Sequence, residues 1–231
     1  QRQMCIRDSH NGFELDKYFK TDDLKKCSRF WIILFKTILS KLYHWKIYVV
    51  GSVEYQYPNH LFQAGYFLDK KYYDENTIDF KHLLLSEKNQ SLLKDIQNSN
   101  SVGVHIRRGD YMTKQNLVIF GNICTQKYYH DAIRIITEKV NDAVFYVFSD
   151  DISWVQTHLD IPNAVYVNWN TGESSIYDMY LMSSCKYNII ANSTFSYWAA
   201  RLNKKTNMVI YPSKWYNTFT PDIFPESWCG I

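Results

Sequence analysis

AVFYVFSDD, residues 143–151, sets an almost unbroken apolar run directly before a serine and two aspartates. A strand with one solvated face alternates apolar and polar residues, whereas a strand buried on both faces of a parallel sheet does not. The flanking sequence extends this pattern in both directions. Upstream, TQKYYHDAIRIITEKV carries Tyr129, Ile133, Ile136 and Val140 at spacings of four, three and four, which predicts an amphipathic helix, and SVGVHIR before it predicts a strand. Downstream come a short helix near 152–158, a strand at AVYVN, a helix at SIYDMYLMSSC, a strand at YNIIAN, a helix at FSYWAARLN and a strand at NMVIYP. Strands alternating with helices of this length predict a parallel sheet with right-handed crossovers, a Rossmann-like α/β arrangement.

Before residue 100 the pattern is different. TDDLKKCSRFWIILFKTILSKLYHW is the longest helical candidate, with Thr21 or Asp22 as N-cap, and IDFKHLLLSEKNQSLLKDIQNSN is a second. Gly65 marks a turn or a close backbone approach between them. The polar cluster QNSNS at 97–101 is the expected domain boundary, giving an N-terminal part over 10–100 and a C-terminal part over 101–231. The first nine residues, QRQMCIRDS, lack periodicity and differ in composition from the rest of the chain, so they are expected to be a non-native leader on a chain whose own beginning is missing.

Bulk properties exclude several classes. A chain of 231 residues that is 46% hydrophobic can bury a substantial core. A net charge of +3 is too small for the dense basic face of a nucleic-acid binder. The five cysteines are scattered, odd in number and without a CxxC pair, which argues against both a zinc site and a disulfide framework. The apolar stretch at 30–39 is broken by Lys36 and is far shorter than the roughly 20 residues of a membrane span. The expectation is a reduced, cytoplasmic protein with at most peripheral contact with the inner face of a membrane. Aromatic residues make up 17% of the chain, a composition suited to core packing and also to stacking on sugars and bases.

Ligands of parallel sheets bind beyond the carboxyl ends of the strands. His105, Arg107, Arg108 and Asp110 collect at the end of the first strand of the C-terminal part, Ser149, Asp150 and Asp151 at the next, and Asn192, Ser193, Thr194 and Ser196 just before a helix. An arginine here suits a phosphate or carboxylate through bidentate hydrogen bonds, or an ion pair with Asp110 or Asp150. The NSTFS segment suits an anion at a helix start, or simple N-capping. Strand parity sends Arg107 with Gly103 and His105 and sends Arg108 the other way, so one is expected to meet ligand and the other to support structure. The sequence contains no GxGxxG, no GxxxxGK[ST], no GxSxG and no DxD, which removes dinucleotide, P-loop and hydrolase-elbow readings and the carboxylate pair that holds a metal on a nucleotide diphosphate.

HIRRGDY, VFSDDISWV and DMYLMSSCKYNIIANSTFSYWAARLN together closely resemble three motif blocks of the bacterial α-1,2-fucosyltransferases, glycosyltransferase family 11. HNGFELDKYF, AGYFLDKKYY and PSKWY extend the resemblance over nearly the whole chain from His10. It implies a GT-B fold, two Rossmann-like α/β/α domains facing a cleft, with the N-terminal one incomplete here. It also implies inverting, metal-free transfer of L-fucose from GDP-fucose to the 2-hydroxyl of a β-galactoside, with no cofactor and no nucleic-acid partner. By the same resemblance Arg107 would hold the β-phosphate, with Arg108 in support, and His105 would lie by the guanosine. Asp178 would accept hydrogen bonds from guanine, and Ser193 and Thr194 would meet the diphosphate, with Asn192 and Ser196 candidates beside them from their place at the strand end. Asp110 is the candidate base. The glycine-rich opening GGLGNQMFQYA of the family is absent from this sequence. The alternative expectation is therefore a GDP-binding chain with weakened or absent transfer.

Overall fold

The computed structural model describes residues 15–20, 48–50, 62–64 and 78–231. The chain forms two compact units, one of residues 1–81 with 221–223 and the other of residues 82–220 with 224–231. The long helical candidate at 21–45, Gly65 and the nine opening residues lie outside the described residues.

In the first unit, helix α1 (Leu15–Tyr18) leads into an antiparallel bridge between Phe19 and Phe80, whose rings stack at 5.0 Å. Strands β1 (Tyr48–Val50) and β2 (Phe62–Ala64) pair in parallel, Tyr48 opposite Phe62.

The second unit is built on six parallel strands: β3 (Asn100–Ile106), β4 (Ala143–Ser149), β5 (Ala164–Val167), β6 (Tyr187–Ile189), β7 (Met208–Tyr211) and β8 (Cys229–Gly230). Their spatial order is β5-β4-β3-β6-β7-β8. The chain builds outward from β3 to β5, then returns to the other side of β3 with β6. The order thus reverses between β3 and β6, the topological switch point of a doubly wound Rossmann-like sheet. The α/β expectation holds in this unit.

Two apolar clusters sandwich the sheet, which explains the unbroken strand runs. Val102, Val104 and Ile106 of β3 and Phe145 and Val147 of β4 face helix α4 (Gln126–Lys139). Tyr146 and Phe148 point to the opposite cluster, with Leu92 and Ile96 of helix α2 (Glu87–Asn98) and Met182 of helix α6 (Ser175–Met182). The stripe expected on α4 is buried as the period requires, with Tyr129 and Ile136 at 1% and 0% exposure.

Three expectations need correction. The helix foreseen from 78 starts only at Glu87, because Ser86 caps it by accepting the Asn89 N–H at 3.3 Å and Phe80 is taken by the bridge to Phe19. The apolar run before it is no helical face, since Leu84 is 81% exposed. The compact second unit begins at His82 and not near residue 100, because Leu92 and Ile96 belong to its core. Between β3 and α4 the chain also forms a 3₁₀ turn (Gly109–Met112) and helix α3 (Lys114–Phe120), neither foreseen.

Candidate active site

The carboxyl ends of β3 and β4 deliver the charged residues to one place. Asp150, just past β4, accepts the backbone N–H of Arg108 on Oδ1 at 2.9 Å and pairs through Oδ2 with Arg107 Nη1 at 2.7 Å. On the other edge of the same guanidinium, Arg107 Nη2 donates to Asp110 Oδ1 at 2.6 Å. The Arg107 side chain is 34% exposed, so the cation stays partly open to solvent. Gly109 is required by this packing, as a Cβ there would collide with Asp150 Oδ2.

Arg108 turns away, as strand parity predicts. Its Nε donates to Asp151 Oδ2 at 3.1 Å and its guanidinium lies 3.7 Å from the centre of the Trp154 ring. Asp151 in turn accepts the Trp154 N–H at 3.1 Å and so caps helix α5 (Ile152–His158). Arg108 is a structural clamp between β3 and α5. The pleat thus sends the two side chains to different carboxylates, Arg107 to the Asp110 and Asp150 ion pairs that were the alternative to a ligand and Arg108 to Asp151.

His105 is buried and sits 5.1 Å from Phe195, ring centre to ring centre. Burial first, and the nearby Arg107 charge second, lower its pKa to about 3, so the imidazole is neutral. Its Nδ1 is buried with no hydrogen-bond partner among the described residues. An unpaired buried polar atom costs about 1–3 kcal/mol, which a bound group could offset.

The residues leading into and opening helix α7 (Thr194–Arg201) divide into two classes. Asn192 Nδ2 donates to the carbonyls of Phe120 and Trp215, its Oδ1 accepts from Cys124 Sγ, and its carbonyl accepts from Tyr111 at 3.0 Å. Ser196 is fully buried, with its hydroxyl bonded to the Ala191 and Ser193 backbone. Both side chains hold the loop in shape through these bonds. Ser193 is the N-cap residue of α7 yet makes no side-chain cap bond, and Thr194 is exposed. These two flank the free N–H groups of the first turn, where an anion is favoured.

Asp178, in the first turn of α6, accepts Asn170 Nδ2 on Oδ1 at 2.7 Å. Burial raises its pKa to about 7, against the opposing pull of that hydrogen bond. Behind it, Asn170 exchanges amide hydrogen bonds with buried Asn89 at 3.0 and 3.1 Å, and Trp169 Nε1 donates to Asn89 Oδ1 at 2.7 Å. Asn89, Trp169 and Asn170 escaped sequence reasoning, since nothing local joins positions some eighty residues apart. Asp150 was foreseen as an ion-pair partner of an arginine and is one for Arg107, whereas Asp151 was visible only as a charge after a strand. Tyr111 also went unnoticed; its ring stacks on Phe120 at 4.5 Å, and burial pushes its hydroxyl up to about 12.

Comparison with known proteins adds to this geometry. The sequence profile of Glycosyl transferase family 11 matches residues 18–231. An alpha-1,2-colitosyltransferase of Escherichia coli is 33% identical over 248 residues, covering 100% of this chain and 78% of the relative. The O-antigen biosynthesis glycosyltransferase WbnK of Escherichia coli is 44% identical over 122 residues, 52% of this chain and 40% of the relative. A galactoside alpha-(1,2)-fucosyltransferase 2 of Pongo pygmaeus is 28% identical over 163 residues, with 65% and 48% coverage. The chain is thus matched to less than half the length of the second and third of these relatives.

Proposed function

Because this chain belongs to glycosyltransferase family 11, we propose that it transfers L-fucose from GDP-fucose to the 2-hydroxyl of a β-galactoside, with inversion at the anomeric carbon. The observation that carries this reading is Arg107, a partly open cation held at the carboxyl end of β3 beside the switch point. Breaking the C1–O bond leaves the electron pair and its charge on GDP, while the sugar becomes oxocarbenium-like. Stabilising that leaving diphosphate is the principal electrostatic task. In this reading Arg107 and the first-turn N–H groups of α7, flanked by Ser193 and Thr194, supply the countercharge without a metal.

The acceptor oxygen bonds C1 from the face opposite GDP and gives up its proton, for which Asp110 is the proposed base. Asp178 accepts the guanine N–H groups, and the unpartnered Nδ1 of His105 lies by the nucleoside. Arg108 supports Arg107 from α5, and Asn192 and Ser196 hold the loop beneath the diphosphate. The second unit is then the nucleotide-sugar half of a GT-B enzyme working in the cytoplasm, at most peripherally on the membrane's inner face.

A second donor is favoured by the relative matched over this whole chain, which is named for colitose, L-fucose lacking its 3-hydroxyl. Calorimetric titration with GDP, GDP-fucose and GDP-colitose, followed by product analysis with lactose and lacto-N-biose, separates the readings. Fucosylated product supports the first reading, and product with GDP-colitose alone supports the second. Tight GDP binding with neither product supports a nucleotide-binding chain without transfer. Arg107→Ala should weaken GDP binding by about thirtyfold, matching roughly 2 kcal/mol for a charge-assisted pair. Unchanged affinity would refute the role given to Arg107.

A further inference from the structure

Arg107 is shared between two carboxylates that are tied into the fold very unequally. Asp150 is anchored three times: its Oδ1 takes the Arg108 backbone N–H, its Oδ2 pairs with Arg107 Nη1, and Gly109 packs against it. Its side chain is 25% exposed. Asp110 sits on the 3₁₀ turn with its side chain 56% exposed, and its carboxylate meets Arg107 Nη2. Among the described residues that carboxylate takes no backbone N–H, so releasing it breaks one exposed ion pair and leaves the turn intact.

We propose that Asp110 is an exchangeable placeholder on Arg107 and that Asp150 is the fixed positioning residue. An incoming diphosphate oxygen takes the Nη2 edge from Asp110, while Asp150 keeps the Nη1 edge and holds the guanidinium in its plane. The inference rests on the nucleotide reading given above. Its consequence is ordered: Asp110 is neutralised by arginine until the donor is bound, and its carboxylate is set free only then. A base that exists only in the loaded site cannot activate water or acceptor in the empty one. The pairing also weakens donor binding, because the bare cation is populated only part of the time and apparent affinity falls by that fraction.

The two carboxylates therefore predict binding changes of opposite sign. Titrating GDP calorimetrically at fixed ionic strength into the full chain, Asp110→Asn and Asp110→Ala should each bind roughly two- to fivefold more tightly than the parent, the range for losing one exposed ion-pair competitor. Asp150→Asn should bind more weakly. A folding defect weakens binding and so does not imitate the tightening. Unchanged or weaker binding by both Asp110 variants overturns the placeholder, as does equal tightening by Asp150→Asn. A parent chain that does not bind GDP overturns the nucleotide reading itself, and the inference with it.

Discussion

Replacing Asp178 by asparagine should stabilise the protein in mild alkali and far less in acid. The Asp178 carboxyl is raised from 3.8 to about 7, chiefly by burial. Between those values the folded chain holds a proton that the unfolded chain has released, so stability falls as pH rises from about 4 to about 7 and is level above that. A shift of this size corresponds to on the order of 4 kcal/mol, of which partial solvation of the carboxyl should leave about 1–3 kcal/mol. Asparagine escapes the cost and still offers an oxygen to Asn170 Nδ2. Thermal melts at pH 8 should place Asp178→Asn higher by roughly 2–4 °C for each kcal/mol recovered, with only about a quarter of that gain at pH 4.5. A gain equal at both pH values, or larger in acid, would refute the argument. If the ionised carboxylate is also the guanine acceptor, GDP should bind the parent more tightly as pH rises through about 7, and the variant should lose that dependence.

Gly109→Ala forces a Cβ onto Asp150 Oδ2 and so dislodges the group that orients Arg107. GDP affinity should fall roughly fivefold or more, the loss of about 1 kcal/mol or more of orientation, while the far-ultraviolet spectrum is unchanged. Ile136→Ala opens a cavity where α4 meets the sheet, at a side chain with 0% exposure, and should cost about 2–5 kcal/mol in urea denaturation. Its GDP affinity under native conditions should match the parent's, since Ile136 belongs to the core cluster between α4 and the sheet.

The sheet was legible because its strands have two buried faces and so lack polar interruptions, as in AVFYVF at 143–148. That Arg107 and Arg108 meet different partners was legible for a related reason, since alternation along a strand is a fixed geometric rule. The start of α2 was misplaced because Leu83, Leu84 and Leu85 resemble the apolar part of a helix, while the decisive facts were a cap at Ser86 and a distant partner for Phe80. Asn192 and Ser196 look like ligand groups in sequence, and only the carbonyls of Phe120, Trp215 and Ala191 reveal their internal duty. Helix α3 has seven residues, too few to establish a period. The amide relay behind Asp178 needs residues from two distant segments and leaves no local trace.

The two neighbouring arginines at the end of β3 carry a lesson for comparing sequences. They are identical in chemistry, and the pleat of the backbone alone sends one to Asp110 and Asp150 and the other to Asp151 and Trp154. An alignment displaced by a single place still stacks arginine on arginine, yet it transposes the guanidinium shared by Asp110 and Asp150 and the clamp on Trp154. The glycine two places after Arg107 marks the register, because a Cβ there would press on Asp150 Oδ2 and displace that carboxylate.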